Sequence, residues 1–372
     1  PTSGAEDGVL RLAMAVEGDF RPNKRGEVIV WRGDGRALET RELFAFDADG
    51  KQLAASMRAS RTELTIEVQT ARARYPIVID PLWVEQQKLV AATATSTGWF
   101  GHSVSMSGNA AVIGMPRDGT NGLDSGSAHV FVWNGTGWEN QQVLHPSDPA
   151  AGDEFGVSVS LDGDTILVGS FQDDDNGAGS GSAYVFVGDK GVWTEQQKLI
   201  PPDGGAGDQF GVSVSLDGDT ALIGAPNDDD VDGDAGAAYV FVRSGAAWTE
   251  EQKLFGWNSD VGDYFGSAVS VDGDTSIVGT PNDDDRGGGS GSAFVFVRSG
   301  TVWSGEQKLT ASDGQGGDRF AQSVAIEGDT AVVGAPNDDD RGADSGSAYV
   351  FIRSGAVWSQ QRKLVALDGM AD

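Results

Sequence analysis

Along residues 210–254 apolar and polar residues alternate with a period of two. The segment reads FGVSVSL, DGDT, ALIGAP, an acidic loop, GAAYVFV, RSGAA and WTEEQKL. A period of two puts alternate side chains on opposite faces of an extended chain, so it predicts four short strands, A to D. Loops rich in Gly, Asp and Ser separate them. Asp217-Gly218 suits a two-residue hairpin turn between A and B, because such turns want positive φ at both positions. Asp162-Gly163 and Asp272-Gly273 repeat it. No stretch carries a helix-length amphipathic pattern.

The pattern recurs every 55 residues. An aromatic-glycine pair returns as Phe100-Gly101, Phe155-Gly156, Phe210-Gly211 and Phe265-Gly266, then as Phe320-Ala321. Trp83, Trp138, Trp193, Trp248, Trp303 and Trp358 keep the same step, as do Gly114, Gly169, Gly224, Gly279 and Gly334. The A-B-C sets fall near 100–132, 155–187, 210–242, 265–297 and 320–352. Four antiparallel strands per copy, repeated without insertion, are the signature of propeller blades. The blade Phe is a candidate for the filling between neighbouring sheets, and the adjacent Gly lets two backbones approach. One blade cannot bury both of its faces, so the copies must stack. The expected fold is an all-β β-propeller of four-stranded blades.

FGVSVSLDGDTALIGAP followed by AAYVFV resembles the FG-GAP repeat of integrin α-subunit propellers and of many bacterial surface proteins. The resemblance covers 83–372. It departs at Met115-Pro116, Ser170-Phe171, Thr280-Pro281 and Ala321. It implies a β-propeller, seven-bladed in integrins, whose N-terminal segment supplies the outer strand of the last blade. Here five A-B-C sets stand beside six D-like segments, since WVEQQKL (83–89) precedes the first set. In a five-blade ring that segment and WSQQRKL (358–364) would compete for one place. The register therefore predicts a longer natural polypeptide with further repeats.

Residues 1–82 have no partner at the 55-residue step. VLRLAMAVEG, GEVIVWRG, ELFAFDADGKQL and TELTIEVQTARARYPIVIDP read as strands, with Asp-Ala-Asp-Gly a turn. A small all-β domain is expected there, followed by the repeats from 83 to 372. Its closing YPIVIDP resembles the lead-in to bacterial FG-GAP arrays. No chemistry is visible in it.

Charge separates the two parts. The chain has a formal charge of −30, of which residues 1–82 hold −1 and the repeats −29. Such a surface excludes nucleic acid as a partner, since phosphate binding needs the opposite sign. It leaves cations, basic proteins and neutral glycans. No run approaches the ~18–20 apolar residues of a membrane span. There is no cysteine, hence no disulfide framework or thiol chemistry.

The strand order sorts the loops onto two faces. The B–C loops carry Asp173-Asp174-Asp175, Asp228-Asp229-Asp230, Asp283-Asp284-Asp285 and Asp338-Asp339-Asp340. The D–A loops carry Asp153, Asp208, Asp263 and Asp318, each two residues before its Phe, and share that face. In the first copy the set shrinks to Asp118 and Gly98. Clustered carboxylates and loop carbonyls suit calcium, which takes six to eight oxygens. Candidate metal ligands are Asp173, Asp175, Asp228, Asp230, Asp232, Asp283, Asp285, Asp338 and Asp340. Candidate ligand-binding acids are Asp153, Asp208, Asp263 and Asp318. Asp228-x-Asp230-x-Asp232-Gly233 has an EF-like spacing but lacks the downstream Glu. The A–B turn LDGDT is too short for the calcium loop that the integrin resemblance implies. Solvated acidic loops that confer solubility are the alternative to a metal site.

His102, His129 and His145 all lie in the first copy, and His129 takes the place of Tyr184, Tyr239 and Tyr349. No nucleophile elbow, phosphate loop or zinc-protease motif occurs. The expectation is a non-catalytic, extracellular or cell-surface adhesion scaffold that meets a protein partner on the acidic face. One alternative is a lectin-like propeller, with Trp193, Trp248 and Trp303 as stacking platforms against a packing role for the same rings. Another is an accessory domain of a larger secreted enzyme.

Overall fold

The computed structural model describes residues 98–230 and 233–366 continuously, and residues 87–91. Within the first eighty-one residues it describes 9–15, 19–22, 28–31, 37–40, 43–46, 51–59, 63–70 and 78–81. The chain divides into two compact units, Pro1–Leu89 and Val90–Asp372. The expected boundary lay at 82/83, so the WVEQQKL segment falls with the first unit.

The first unit holds β1 (Val9–Ala15), β2 (Asp19–Pro22), β3 (Val28–Trp31), β4 (Ala37–Thr40), β5 (Leu43–Phe46), β6 (Gln52–Leu53), β7 (Ala55–Ala59), β8 (Glu63–Gln69) and β9 (Val78–Pro81). They form three antiparallel sheets, ordered β1-β8-β7, β2-β3-β4 and β6-β5-β9. The alternating runs appear as β1, β3, β5, β6, β8 and β9. The short β2, β4 and β7 are additional to them.

The second unit is five four-stranded antiparallel sheets, one per repeat. Blade 1 is β10 (Val104–Ser107), β11 (Ala110–Met115), β12 (Ser127–Trp133) and β13 (Trp138–Leu144). Blade 2 is β14 (Val159–Asp162), β15 (Thr165–Ser170), β16 (Ser182–Asp189) and β17 (Val192–Leu199). Blade 3 is β18 (Ser213–Asp217), β19 (Thr220–Ala225), β20 (Ala237–Ser244) and β21 (Ala247–Leu254). Blade 4 is β22 (Ala268–Asp272), β23 (Thr275–Thr280), β24 (Ser292–Ser299) and β25 (Val302–Leu309). Blade 5 is β26 (Ser323–Glu327), β27 (Thr330–Ala335), β28 (Ser347–Ser354) and β29 (Val357–Leu364). In chain order these are the A, B, C and D strands of a β-propeller blade.

The A–B hairpin differs from expectation by one residue. Asp217 pairs with Thr220, so the two loop residues are Gly218 and Asp219. Positive φ falls on Gly218 and not on its successor. Asp217 stays in the strand because its carboxylate accepts a bond from the N–H of Gly273 in the next blade, at 2.8 Å.

Blades meet face to face, and the core lies between them. Phe210 opens strand A of blade 3 and is fully buried against Leu167 and Val185 of blade 2 and Ala221 and Ile223 of its own sheet. Its ring meets Tyr239 edge-on at 5.4 Å. Burying such a ring contributes about 1.5–3 kcal/mol, so one Phe per interface is a large share of the adhesion. Gly211 follows at φ +92°, and the Val212 N–H donates to the Gln209 carbonyl, the pattern of a type II turn. The turn brings the Gly211 carbonyl so close to strand B of blade 2 that a Cβ on Gly169 would overlap it. Ser158 Oγ donates to that carbonyl at 2.7 Å.

A second clamp works at the outer strands. Gln197 accepts the Trp248 N–H and donates to its carbonyl, both at 2.8 Å. Gln142–Trp193, Gln252–Trp303 and Gln307–Trp358 repeat it. The two end blades show what this packing hides. Leu167, Leu222 and Ile277 are fully buried, whereas their blade 5 counterpart Val332 is 38% exposed. On blade 1, Val104 and Met106 are exposed where Val159 and Leu161 are buried.

Candidate functional site

The B–C loop of each blade zips onto the D–A loop leading into the next. Gln209 and Phe210 donate their N–H groups to the carbonyls of Gly179 and Ser180, and Gly181 bridges Phe210. The same bonds join the loops at the other interfaces, for example Phe155 to Ser125 and Phe320 to Ser290. Both acid sets therefore lie on one face.

Within that face the carboxylates are not equivalent. Asp173, Asp228, Asp283 and Asp338 open each triplet and are buried. Tyr184, Tyr239 and Tyr349 donate their hydroxyls to Asp173, Asp228 and Asp338 at 2.8, 2.6 and 2.6 Å. In blade 4 that tyrosine is Phe294, and Ser292 Oγ supplies the bond to Asp283 at 2.9 Å. Each buried acid also meets a lysine from strand D. Lys198 Nζ lies 2.8 Å from Asp173, Lys253 Nζ 2.8 Å from Asp228 and Lys363 Nζ 2.7 Å from Asp338; Lys308 pairs with Asp283.

The same ammonium groups bind the third acid of the triplet and a residue of the preceding D–A loop. Lys198 contacts Asp175 at 2.6 Å and Asp148 at 2.8 Å. Lys253 contacts Asp230 and Asp203 at 2.6 and 2.9 Å. Lys363 contacts Asp340 and Asp313, while Lys308 contacts Asp285 and Asn258. Burial alone would lower the lysine pKa. The carboxylates outweigh it and hold the Lys198, Lys253 and Lys363 ammoniums above their ordinary range. Burial and the adjacent Asp173 charge push the Tyr184 hydroxyl far up, so it stays a proton donor.

The nominated metal ligands are thus arranged as lysine cages. Oxygens of Asp148, Asp173 and Asp175 lie within 4.8 Å of one another, close enough to hold a metal ion. Three carboxylates fit an oxygen-seeking cation, but the Lys198 ammonium sits among the same three oxygens. A metal ion and this lysine compete for one place. Asp228 and Asp230 of the EF-like segment are both held by Lys253; Asp232 lies outside the described residues.

Asp153, Asp208, Asp263 and Asp318 are buried under the loop face. Each accepts the N–H three residues before it, from Ala150, Gly205, Asp260 and Gln315, at 2.6–2.7 Å. These acids tie the D–A loop into shape. Burial, helped by the charges of Asp228 and Asp229, pushes Asp208 up to about 6 against the Gly205 N–H. Asp263 is likewise pushed up to about 6 by burial and by Asp283, Asp260 and Asp284. The middle acids, Asp174, Asp229, Asp284 and Asp339, are exposed and meet no lysine, whereas the third acids are exposed but paired with theirs.

Blade 1 lacks the cage. Val143 replaces the lysine, and Asp118 is buried with Oδ1 held by Thr120 at 2.6 Å and no hydrogen-bond partner on Oδ2. His129 is fully buried in the tyrosine position, and burial lowers its pKa. His102 instead stacks on exposed Trp99 at 5.7 Å, with Arg117 over the same indole at 3.5 Å. Trp193, Trp248 and Trp303 are buried between blades, with their indole N–H groups bound to Gln141, Gln196 and Glu251. They are packing residues and offer no stacking platform, which corrects that element of the lectin reading.

The FG-GAP repeat model matches residues 83–131, 138–186, 193–241, 248–296 and 303–351. The chain belongs to the FG-GAP repeat family. The four matches from residue 138 onward each run from an outer-strand Trp through the next A, B and C strands, so the FG-GAP unit there spans the interface between two blades. Among curated proteins, none matches this chain. The FG-GAP assignment fits a β-propeller binding or scaffold domain, and no helix among the described residues is long and apolar enough to cross a membrane.

Proposed function

We propose that the repeat array is a non-catalytic adhesion module that works outside the cell or at its surface. It presents its acidic loop face to a protein partner with a basic surface. The observation that carries this reading is the division of labour among the triplet acids. A single lysine per blade pairs with the first and third carboxylates, while Asp174, Asp229, Asp284 and Asp339 stand exposed and meet no lysine at the 55-residue step on one face. Complementary charge across such a face steers encounter and sets specificity. The family's occurrence in integrin α-subunits and bacterial surface proteins supports the location.

Calcium enters this reading as a rival of the lysines. Asp148, Asp173 and Asp175 would hold it once Lys198 Nζ swings out, and the loops would then gain positive charge at the rim of the face.

The test is a panel of purified matrix and cell-surface proteins, with binding measured at low and high salt. The variant carries Asp174→Asn, Asp229→Asn, Asp284→Asn and Asp339→Asn together. A salt-sensitive binder that the variant loses, with its melting temperature unchanged, is the expected result. Equal binding by both proteins would sink the acidic-face reading.

A further inference from the structure

The five repeats are so alike that they serve as an alignment of the chain with itself. Most columns are constant because they fill interfaces. Two columns that flank the blade Phe-Gly pair are not. The residue before the blade Phe is Trp99, Glu154, Gln209, Tyr264 and Arg319 in turn, and the residue after the Gly or Ala is His102, Val157, Val212, Ser267 and Gln322. These are the first and fourth residues of the turn that opens strand A, joined by its N–H to carbonyl bond in each blade.

All five residues of the first column have left-handed backbones, with φ of 57, 52, 59, 60 and 53°. Bulky side chains are rare in that region, and holding one there strains the backbone. Glycine would remove the strain, yet no copy has it. The turn points Phe into the core and turns its two ends away from it, so each blade displays a different pair of side chains at one edge.

In blades 3 to 5 five of these six column residues, all but Arg319, line a shallow, open cleft of about 250 Å³, bounded by Gln209, Val212, Asn227, Tyr264, Ser267 and Gln322 among others. No lining residue is charged, although the array carries −29. The side-chain amides of Gln209, Asn227 and Gln322 make no hydrogen bond within the protein among the described residues. Ser267 donates to the Tyr264 carbonyl at 2.8 Å and keeps its acceptor lone pairs free. Each amide offers a donor pair and an acceptor, the set that matches neighbouring hydroxyls, while Tyr264 supplies a ring and a hydroxyl. A lysine or arginine side chain would find no carboxylate on the walls of the cleft. The volume lies below the roughly 300–1,000 Å³ of drug-sized sites, so it suits one ring-sized group.

We infer that this cleft is a saccharide subsite, which takes a single uncharged pyranose between Tyr264 and the amides of Gln209, Asn227 and Gln322. It uses different residues from the acidic loops and rests only on the reading of the array as a binding module.

Saturation-transfer NMR with a panel of neutral methyl pyranosides tests it, with a glycan array as the second screen. The variants are Gln209→Ala with Gln322→Ala, and Tyr264→Ala. Tyr264→Asn repeats the second in a residue that accepts the left-handed backbone. The expected result is saturable binding of at least one glycoside, weakened at least roughly tenfold, or about 1.4 kcal/mol, in each cleft variant. The fourfold Asn variant of the exposed acids should bind the glycoside like the unaltered chain. No binding by any glycoside or array glycan, or binding that survives both cleft changes, overturns the inference. A basic protein partner still held by the acidic face would then show that the subsite alone had failed.

Discussion

Lys198 Nζ lies 2.8 Å from Asp173 Oδ2, and the pair recurs in the next three blades as Lys253–Asp228, Lys308–Asp283 and Lys363–Asp338. A buried carboxylate with its counter-ion removed is expensive, by about 3–5 kcal/mol for a pair broken on one side. Two of the three cage acids, Asp148 and Asp175, are exposed and screened by water, which places the cost at the lower end. Lys198→Met should therefore lower unfolding stability by about 3 kcal/mol in urea titration. Lys198→Met combined with Asp173→Asn should recover much of that loss. Equal stability of the single variant and the unaltered chain would show that the cage is ornamental.

The same substitution empties the cage for a metal. With the ammonium gone, three carboxylate oxygens within 4.8 Å of one another face no cation. Calcium should then raise the melting temperature of Lys198→Met steeply, with little effect on the unaltered chain, because a ligand stabilises by its affinity for the native state. Chelator should reverse the rise. A calcium response confined to the unaltered chain would place any calcium site elsewhere.

Interface strength can be read from the outer clamp. Gln252 donates to the Trp303 carbonyl at 2.9 Å and accepts its N–H at 2.7 Å. Gln252→Ala leaves both backbone groups without these partners at a half-buried site, at a cost of about 1–3 kcal/mol. Hydrogen exchange should show the loss concentrated at the boundary of blades 3 and 4. Protection lost evenly over all five blades would mean that the array unfolds as one unit.

The repeats were legible because their signals are local. The 55-residue step, the period of two and the recurring Phe and Trp gave strand number, order and blade interfaces without any long-range information. The short β2, β4 and β7 were missed because DFRP and ALET are only four residues long, and ASMRA alternates without any β-branched or aromatic residue. The hairpin shifted by one residue because Asp217 has a partner in the neighbouring blade, which no local rule contains. Lys198 was visible in its QKL run and kept the 55-residue step, but nothing near it in sequence announces Asp173, twenty-five residues away. Asp148, five residues before Asp153, was passed over for the same reason. The left-handed residues before each Phe were unforeseen, since Trp, Glu, Gln, Tyr and Arg all disfavour that backbone.

The buried loop clips give the protein an unusual dependence on pH. Asp208 and Asp263 have folded values of about 6, raised above the ordinary carboxylate range by burial and neighbouring acids. A raised pKa means that the native state holds protons more tightly than the unfolded chain. Stability is thus fully present below the unfolded value near 4, and is lost as pH rises through about 6. Asp148, Asp203 and Asp313 are shifted down, so their contribution fails only below the ordinary carboxylate range. Between these limits the clips dominate, and the melting temperature at pH 5 should exceed that at pH 7 by a few degrees. Asparagine keeps the oxygen that accepts the Gly205 or Asp260 N–H and removes the charge. Asp208→Asn with Asp263→Asn should therefore raise the melting temperature at pH 7 and flatten the difference between the two pH values. If the double variant melts lower at both, the carboxylates stabilise the loops as ions, and the burial argument has the wrong sign.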